Sequence, residues 1–268
     1  MTTRLVVLAY NEEAGIGESL AAIRELGLPD LEVLVVDDGS TDRTESIVRQ
    51  MKEHMPLDLL SHEINRGVGA AFETGLRHAA AVSRPSDFII TIEGDGTNSL
   101  QTLGPIIRLL QQGYDVVCGS RYVPGGGYRG FPLKRRIFSV GANLVMRWYC
   151  GLEPVRDYTL FYRGYRAEVL QEAFQRYGRS FIEGQGFFAN IEILVKVSRL
   201  RPLRVAETPV VYDYGAKRSR SSMRVWKNLA EYVRFFVRDL RRPACPAPPS
   251  SGPSAASEKP PVRRDPAV

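Results

Sequence analysis

The sequence predicts an α/β fold, a mostly parallel central sheet covered by helices on both faces. Two observations predict it. Short runs rich in Val, Ile and Leu recur from Arg4 to Cys118, as expected of strands buried on both faces. Helix-like stretches separate them in regular alternation, which is the pattern of parallel strands joined by crossover helices. In order, strands are expected at Arg4–Leu8, Glu32–Val36, Leu57–Ser61, Asp87–Ile92 and Asp115–Cys118. The helices between them are expected at Gly17–Glu25, Thr41–Met55, Val68–Ser83 and Leu100–Gln112.

After Gly119 the pattern changes. Pro124–Gly130 holds three consecutive glycines and reads as a flexible loop. A helix from Pro132 to Tyr149, a strand near Tyr158–Tyr162, a helix around Gly186–Ser198 and a strand at Leu203–Ala206 complete a body spanning residues 1–221. Within residues 222–242, Trp226, Leu229, Val233, Phe236, Val237 and Leu240 recur at helical spacing. Arg224, Lys227, Glu231, Arg234, Arg238 and Arg241 take the other face, so this reads as a basic amphipathic helix for a membrane interface, a partner or the body itself. Lys217 and Arg220 just before it would add attraction to anionic lipid. Residues 243–268 are dominated by Pro, Ala and Ser and are expected to be disordered.

Composition narrows the functional classes. A chain of 268 residues with 44% hydrophobic residues can bury a full core. Its net charge of +6 points to an anionic partner. No nucleic-acid-binding signature accompanies that charge, and none is expected. Cys118, Cys150 and Cys245 form no CxxC pair, which argues against zinc or a disulfide framework and for reduced thiols in the cytoplasm. Leu5–Leu8 is too short for a signal peptide, and no run reaches the roughly 18 apolar residues of a membrane span, so membrane contact is expected to be peripheral.

In such sheets ligands bind beyond the carboxyl ends of the strands. Three loops there are unusually polar: Ala9-Tyr-Asn-Glu-Glu13, Asp37-Asp-Gly-Ser-Thr-Asp42 and Glu93-Gly-Asp-Gly-Thr97. Each alone reads equally well as a strand-to-helix turn. Together they gather Glu12, Glu13, Asp37, Asp38, Glu93 and Asp95 at one crevice, where repulsion is costly unless a cation or hydrogen-bond donors compensate. Glu93 and Asp95 are spaced to put two carboxylates on one side of a turn, the oxygen donors that Mg²⁺ prefers when it bridges a diphosphate.

Arg121, Lys134, Arg135 and Arg136 form a basic counterpart. Cations at a helix start oppose its dipole, a conflict that a bound anion removes; a solvated face is the alternative. Gly67 and Gly69 are neither a dinucleotide fingerprint nor a P-loop, because they follow the third strand, Phe72 replaces the third glycine and no Gly-Lys-Ser/Thr follows. They read either as a helix N-terminus near a nucleotide, with Arg66 at a phosphate, or as glycines that ease packing.

The three loops in this order, with Asn65–Ala71, Gly119–Tyr122, Pro132–Asn143 and Asp157–Arg163, resemble glycosyltransferase family 2 from about Arg4 to Leu240. The nearest branch is the dolichyl- or polyprenyl-phosphate sugar synthases. The resemblance implies a GT-A fold with a Rossmann-like sheet. It implies a metal-dependent inverting hexosyltransferase that moves sugar from GDP-mannose or a UDP-hexose to polyprenyl phosphate.

By that resemblance Ala9, Tyr10, Asn11, Glu12, Asp37, Asp38, Arg66, Gly67 and Gly94 bind the nucleotide-sugar. Mg²⁺ or Mn²⁺ would sit on Glu93 and Asp95 with Thr97. Arg121, Arg135 and Ser139 would hold the acceptor phosphate, with Asp157 orienting acceptor or sugar, or only bonding a turn. Asp95, Arg121, Arg135 and Asp157 are thus the catalytic candidates, and Gly125–Gly127 would be a mobile lid. Glu192 either shares a family role or pairs with Lys196. The family's Asp-x-Asp reads Glu-Gly-Asp here, and Thr97 replaces a frequent Gln.

A phosphate acceptor needs no general base, unlike a hydroxyl. The alternatives are a soluble hydroxyl acceptor, or a non-catalytic nucleotide-sugar-binding protein. The implied location is the cytoplasmic face of a membrane, reached directly or through a separate membrane subunit.

Overall fold

The structure, a computed structural model, describes residues 1–216 and 231–238. The alternation predicted for the first half is observed: β1 (Thr3–Ala9), α1 (Ile16–Glu25), β2 (Leu31–Asp37), α2 (Thr44–Met51), β3 (Leu57–Ser61), α3 (Val68–Val82), β4 (Phe88–Glu93), α4 (Leu103–Gln111) and β5 (Val116–Ser120). The second half adds β6 (Gly127–Arg129), α5 (Leu133–Cys150), β7 (Arg163–Arg166), α6 (Ala167–Tyr177), α7 (Ala189–Ser198), β8 (Val205–Pro209), β9 (Val211–Asp213) and α8 (residues 231–238).

Seven strands form one sheet in the order β3-β2-β1-β4-β7-β5-β8. Only β7 runs antiparallel to its neighbours. Alternate residues of β1 serve two cores. Leu5, Val7 and Ala9 face one core with Ile16, Leu20, Ile106 and Leu110, while Val6 and Leu8 face the other with Phe72, Leu76 and Leu194. Two buried faces explain the unbroken apolar runs of the central strands.

The expected strand at Tyr158–Tyr162 is not one; the strand is β7, five residues on. The reason is local hydrogen bonding. The N–H groups of Thr159 and Leu160 turn onto Asp157 Oδ1, and Asn190 Nδ2 donates to the Tyr158 and Leu160 carbonyls. Side chains therefore satisfy this segment's backbone, and no ladder is needed. In β7, Arg163 is fully buried yet donates to Asn190 O and to Tyr158 O.

The glycine-rich loop also differs from expectation. Its second half is β6, paired in parallel with β9, and Gly127 N donates to Val210 O. The Gly125–Gly127 stretch is therefore half pinned, not a free lid.

The described part of the apolar stripe expected near the C-terminus turns Phe235, rather than Val233 or Val237, toward the body. Phe235 is buried and Phe236 partly so, whereas Val233 and Val237 are exposed. Aromatic contacts decide the rotation: Phe188 meets Tyr232 and Phe235 at 4.7 and 4.9 Å, and Tyr149 meets Phe236 at 4.8 Å. The rest of that expected helix, the boundary at 221/222 and the tail lie outside the described residues. Phe235→Ala empties the centre of this cluster and is expected to lower stability by about 3–5 kcal/mol in urea unfolding.

Candidate active site

The strand registers bring the polar loops to one edge. Ala9 pairs with Asp37 and Leu8 with Glu93, so the carboxyl ends of β2, β1 and β4 are level. Thr91 and Cys118 both pair with Arg163 of β7, which makes Glu93 level with Ser120. The loops beginning at Ala9, Asp37, Glu93 and Arg121 therefore open on the same side of the sheet.

The first two loops are laced together. Asn11, held at φ 54°, takes Ser40 Oγ on its N–H and accepts from Thr41 N. Glu12 N donates to Thr44 Oγ1. Tyr10 lies between these contacts and Ala9, whose carbonyl takes the Asp38 N–H. Asp37 accepts from the Ser40 hydroxyl; burial raises its pKa and outweighs those bonds. Asp38 takes the N–H groups of Arg66 and Gly67 at 3.0 and 2.8 Å and His62 Nδ1 at 2.7 Å. It builds the turn that presents Arg66.

The two readings of Gly67 and Gly69 resolve toward close approach, though not toward the sheet. A Cβ on Gly67 would lie 2.5 Å from Gln185 O, and one on Gly69 would lie 1.7 Å from Gly184 O. Gly69 N donates to Gln185 O. The 183–186 loop that fills this space is itself held by buried Glu192, which accepts from Glu183 N and Gly184 N and pairs with Lys196 at 2.7 Å. Glu192 thus makes the ion pair read from its spacing and also supports the turn at Gly67.

Glu93, Gly94 and Asp95 follow β4. Gly94 N donates to Leu8 O, and a Cβ there would lie 2.9 Å from Ile16. Asp95 accepts from Thr97 N and Thr97 Oγ1, while Asn98 Nδ2 reaches Glu93 at 3.3 Å. Thr97 therefore orients Asp95 rather than adding a separate acidic ligand. Burial, and then Glu93 and Asp95, raise the Tyr212 phenol. The Arg121 guanidinium lies 5.8 Å from the same ring, so the acidic and basic groups meet across Tyr212.

On the basic side the structure joins two separate expectations. Arg121 grips Asp157 bidentately, Nε to Oδ2 at 2.7 Å and Nη2 to Oδ1 at 2.8 Å. Burial would raise the Asp157 pKa; the Arg121 charge outweighs it and holds the carboxyl below its ordinary range. Arg121 Nη2 also reaches Ser139 Oγ at 3.3 Å, and Tyr122 and Tyr128 stand 5.7 and 5.0 Å from the guanidinium. Arg135, one turn before Ser139 on α5, lies over Tyr214 and bonds its hydroxyl at 3.2 Å. Asp157 does more than bond a turn, and Arg121 is only 6% exposed at its side chain.

Sequence reasoning missed Tyr122, Tyr128, Tyr212, Thr159, Asn98 and Glu207. The pair Tyr212 and Tyr214 was the one available signal, since both rings meet Phe131 edge-on.

The acidic loop suits a divalent cation. Its donors are oxygens, the set that Mg²⁺ and Mn²⁺ take, and buried Asn98 Oδ1 beside Glu93 has no hydrogen-bond partner. Among the described residues no group of three His, Cys, Asp or Glu side chains converges as a cage. The remaining ligands would come from a diphosphate and water.

A parallel sheet whose strand ends set paired carboxylates against an arginine wall defines a nucleotide-sugar transferase of the GT-A class. Residues 5–174 match the model of glycosyl transferase family 2, and the chain belongs to that family. Among its relatives is the polyprenol monophosphomannose synthase of Mycolicibacterium smegmatis, 28% identical over 78% of this chain and 77% of that one. Another is the undecaprenyl-phosphate mannosyltransferase of Micrococcus luteus, 28% identical over 79% of this chain and 84% of that one. The fold also matches the glucosyl-3-phosphoglycerate synthase of Mycobacterium tuberculosis, crystallised with Mn²⁺, UDP and glucosyl-3-phosphoglycerate, with TM-score 0.60 and 22% identity over 89% of this chain and 78% of that one.

Three outcomes follow. Asp157→Asn leaves Arg121 buried without its counter-charge and is expected to cost about 3–5 kcal/mol in denaturant unfolding. Because the folded pKa of Asp157 lies below the unfolded one, its stabilisation is complete above about pH 4 and is lost as pH falls through the folded value, so acid unfolding of the variant is expected to be shallower. Gly69→Ala forces the 183–186 loop away and is expected to raise the donor KM more than it lowers kcat, read from initial rates.

Proposed function

We propose that the chain is an inverting transferase that moves a hexose from a GDP- or UDP-sugar to polyprenyl phosphate. The Arg121–Asp157 pair carries this reading. A hydroxyl acceptor requires a base near the sugar carbon, and Asp157 is bidentately engaged and held acidic, a poor proton acceptor. A phosphate arrives already anionic. The names of the relatives from Mycolicibacterium smegmatis and Micrococcus luteus support the same acceptor class.

In this reading the turn built by Asp38 presents Arg66 to the donor's phosphates, and the first loop, Ala9–Glu12, seats the nucleotide with Asp37. Glu93 and Asp95 hold Mg²⁺ or Mn²⁺, which when bound supplies positive charge to the departing diphosphate. Arg135 and Ser139 align the acceptor phosphate on the far side of the sugar carbon, with Arg121 fixing Ser139. Rate acceleration then comes from positioning and charge, not from proton transfer. The acceptor implies work at a membrane surface, and among the described residues no helix is long and apolar enough to cross one.

Transfer of labelled sugar from GDP-mannose and UDP-hexoses to polyprenyl phosphate tests the proposal. Asp95→Asn is expected to lower kcat by about 100-fold or more while nucleotide binding without metal is retained. Transfer to soluble sugars with none to polyprenyl phosphate would overturn the acceptor assignment.

A further inference from the structure

At the acidic edge one buried amide is only half used. Asn98 is 4% exposed, and among the described residues its Oδ1 has no hydrogen-bond partner. Its Nδ2 donates to Glu93 Oε2 at 3.3 Å and reaches Thr97 Oγ1 at 3.5 Å. Leaving a buried carbonyl oxygen unpaired is unfavourable, and such an atom beside a ligand site marks a contact still to be made.

The backbone at this point is fixed. Asn98 bridges Tyr212 of β9, and Thr97 O accepts from Asp213 N. The side chain therefore keeps its place, and its main remaining freedom is the terminal torsion that exchanges Oδ1 and Nδ2. A half-turn sets Oδ1 where Nδ2 stands, 3.3 Å from Glu93 Oε2. Two oxygens so placed repel one another unless a cation joins them. The separation suits one: neighbouring oxygens on an octahedral Mg²⁺ or Mn²⁺, with ligand bonds of about 2.1 Å, stand about 3 Å apart. The half-turn gives up only the bonds of Nδ2, since Oδ1 has no partner to lose.

Charge gives a reason for an amide at this position. Glu93 and Asp95 already match the charge of a divalent cation. A third carboxylate would leave the occupied site negative and repel the donor's diphosphate, whereas an amide oxygen ligates without adding charge. We infer that Asn98 is a neutral ligand to the cation. It donates to Glu93 when no cation is bound and turns its carbonyl oxygen inward when one is. The inference rests on the reading of Glu93 and Asp95 as the cation site and adds a member to it.

Electron paramagnetic resonance of Mn²⁺ with the full chain, alone and with GDP or UDP, tests this. Asn98→Ala is expected to weaken Mn²⁺ binding about tenfold or more. Metal-free nucleotide binding should stay within about twofold of wild type, with an unchanged melting temperature. Because alanine also removes the donor to Glu93, Asn98→Asp separates the two roles. That variant cannot donate, yet it is expected to bind Mn²⁺ alone at least as tightly as wild type, while Mn²⁺ promotes its nucleotide binding less. In nitrogen-labelled protein, Mg²⁺ with GDP or UDP is expected to shift the Asn98 side-chain amide resonance, assigned by its loss in Asn98→Ala. Unchanged Mn²⁺ affinity in Asn98→Ala, lost Mn²⁺ binding in Asn98→Asp, or an amide resonance that Mg²⁺ leaves in place would each overturn the inference. If Asp95→Asn abolishes Mn²⁺ binding while Asn98→Ala does not alter it, the cation site stands and Asn98 alone is removed from it. A wild type that binds no Mn²⁺ removes Glu93 and Asp95 as well.

Discussion

The site depends on one buried ion pair. Arg121 follows β5, next to the edge strand β8, and Asp157 enters from the segment before β7. Removing two charges from water costs several kcal/mol each, so the pair persists only because its remaining valences are filled. They are: Asp157 takes the N–H groups of Arg121, Thr159 and Leu160, and Arg121 reaches Ser139 and Thr159. Glu207 of β8 in turn receives the N–H groups of Arg156 and Asp157. The pair thereby ties β5, β8 and α5 together, and α5 is further held by Asn143, which accepts from Tyr158 N, and by Tyr149, which packs on Phe235 and Phe236.

A second set of contacts serves the donor side. Asp38 shapes the 62–67 turn, Gly67 and Gly69 admit the 184–185 backbone, and Glu192 with Lys196 holds that backbone from behind. Gly186 N donates to Glu231 of α8, and Arg238 pairs with Glu183 at 3.3 Å. The C-terminal helix therefore braces the loop against which the donor turn rests. Buried networks of this kind are rigid when fully satisfied, and a change in any member reaches the turn through backbone contacts.

The first half of the fold was legible because two-sided burial writes itself as apolar runs between helical periods. The acidic edge was legible for a related reason: polar residues directly after such runs have few structural explanations. What failed was the segment from Tyr158 to Arg166. Its aromatic run resembles a strand, but the ladder bonds are replaced by Asn190, Arg163 and Asp157, residues scattered along the chain. Arg163 looks like a surface charge in sequence and is fully buried, because its partners are backbone carbonyls that no periodicity reveals. The pairing of Arg121 with Asp157 was hidden likewise. Two charges 36 positions apart carry no mark of contact: Arg121 was read as a ligand to the acceptor phosphate, and Asp157 as orienting acceptor or sugar or as bonding a turn. The rotation of α8 turned on adjacent Phe235 and Phe236, between which helical spacing does not choose.

The departure from the family's acidic motif has a geometric answer. Replacing the first Asp of Asp-x-Asp by Glu93 adds a methylene and carries the carboxylate outward, while Thr97 in place of Gln removes length two residues beyond Asp95. The two changes are complementary in reach. Asn98 Nδ2 meets the extended Glu93 carboxylate at 3.3 Å, and the shorter Thr97 turns its hydroxyl back onto Asp95 at 2.6 Å. Thr97 thus donates to one carboxylate of the acidic pair and Asn98 to the other. Hydrogen bonds from neutral donors orient the two carboxylates, whereas the Asp157 carboxylate opposite is coupled to the full positive charge of Arg121.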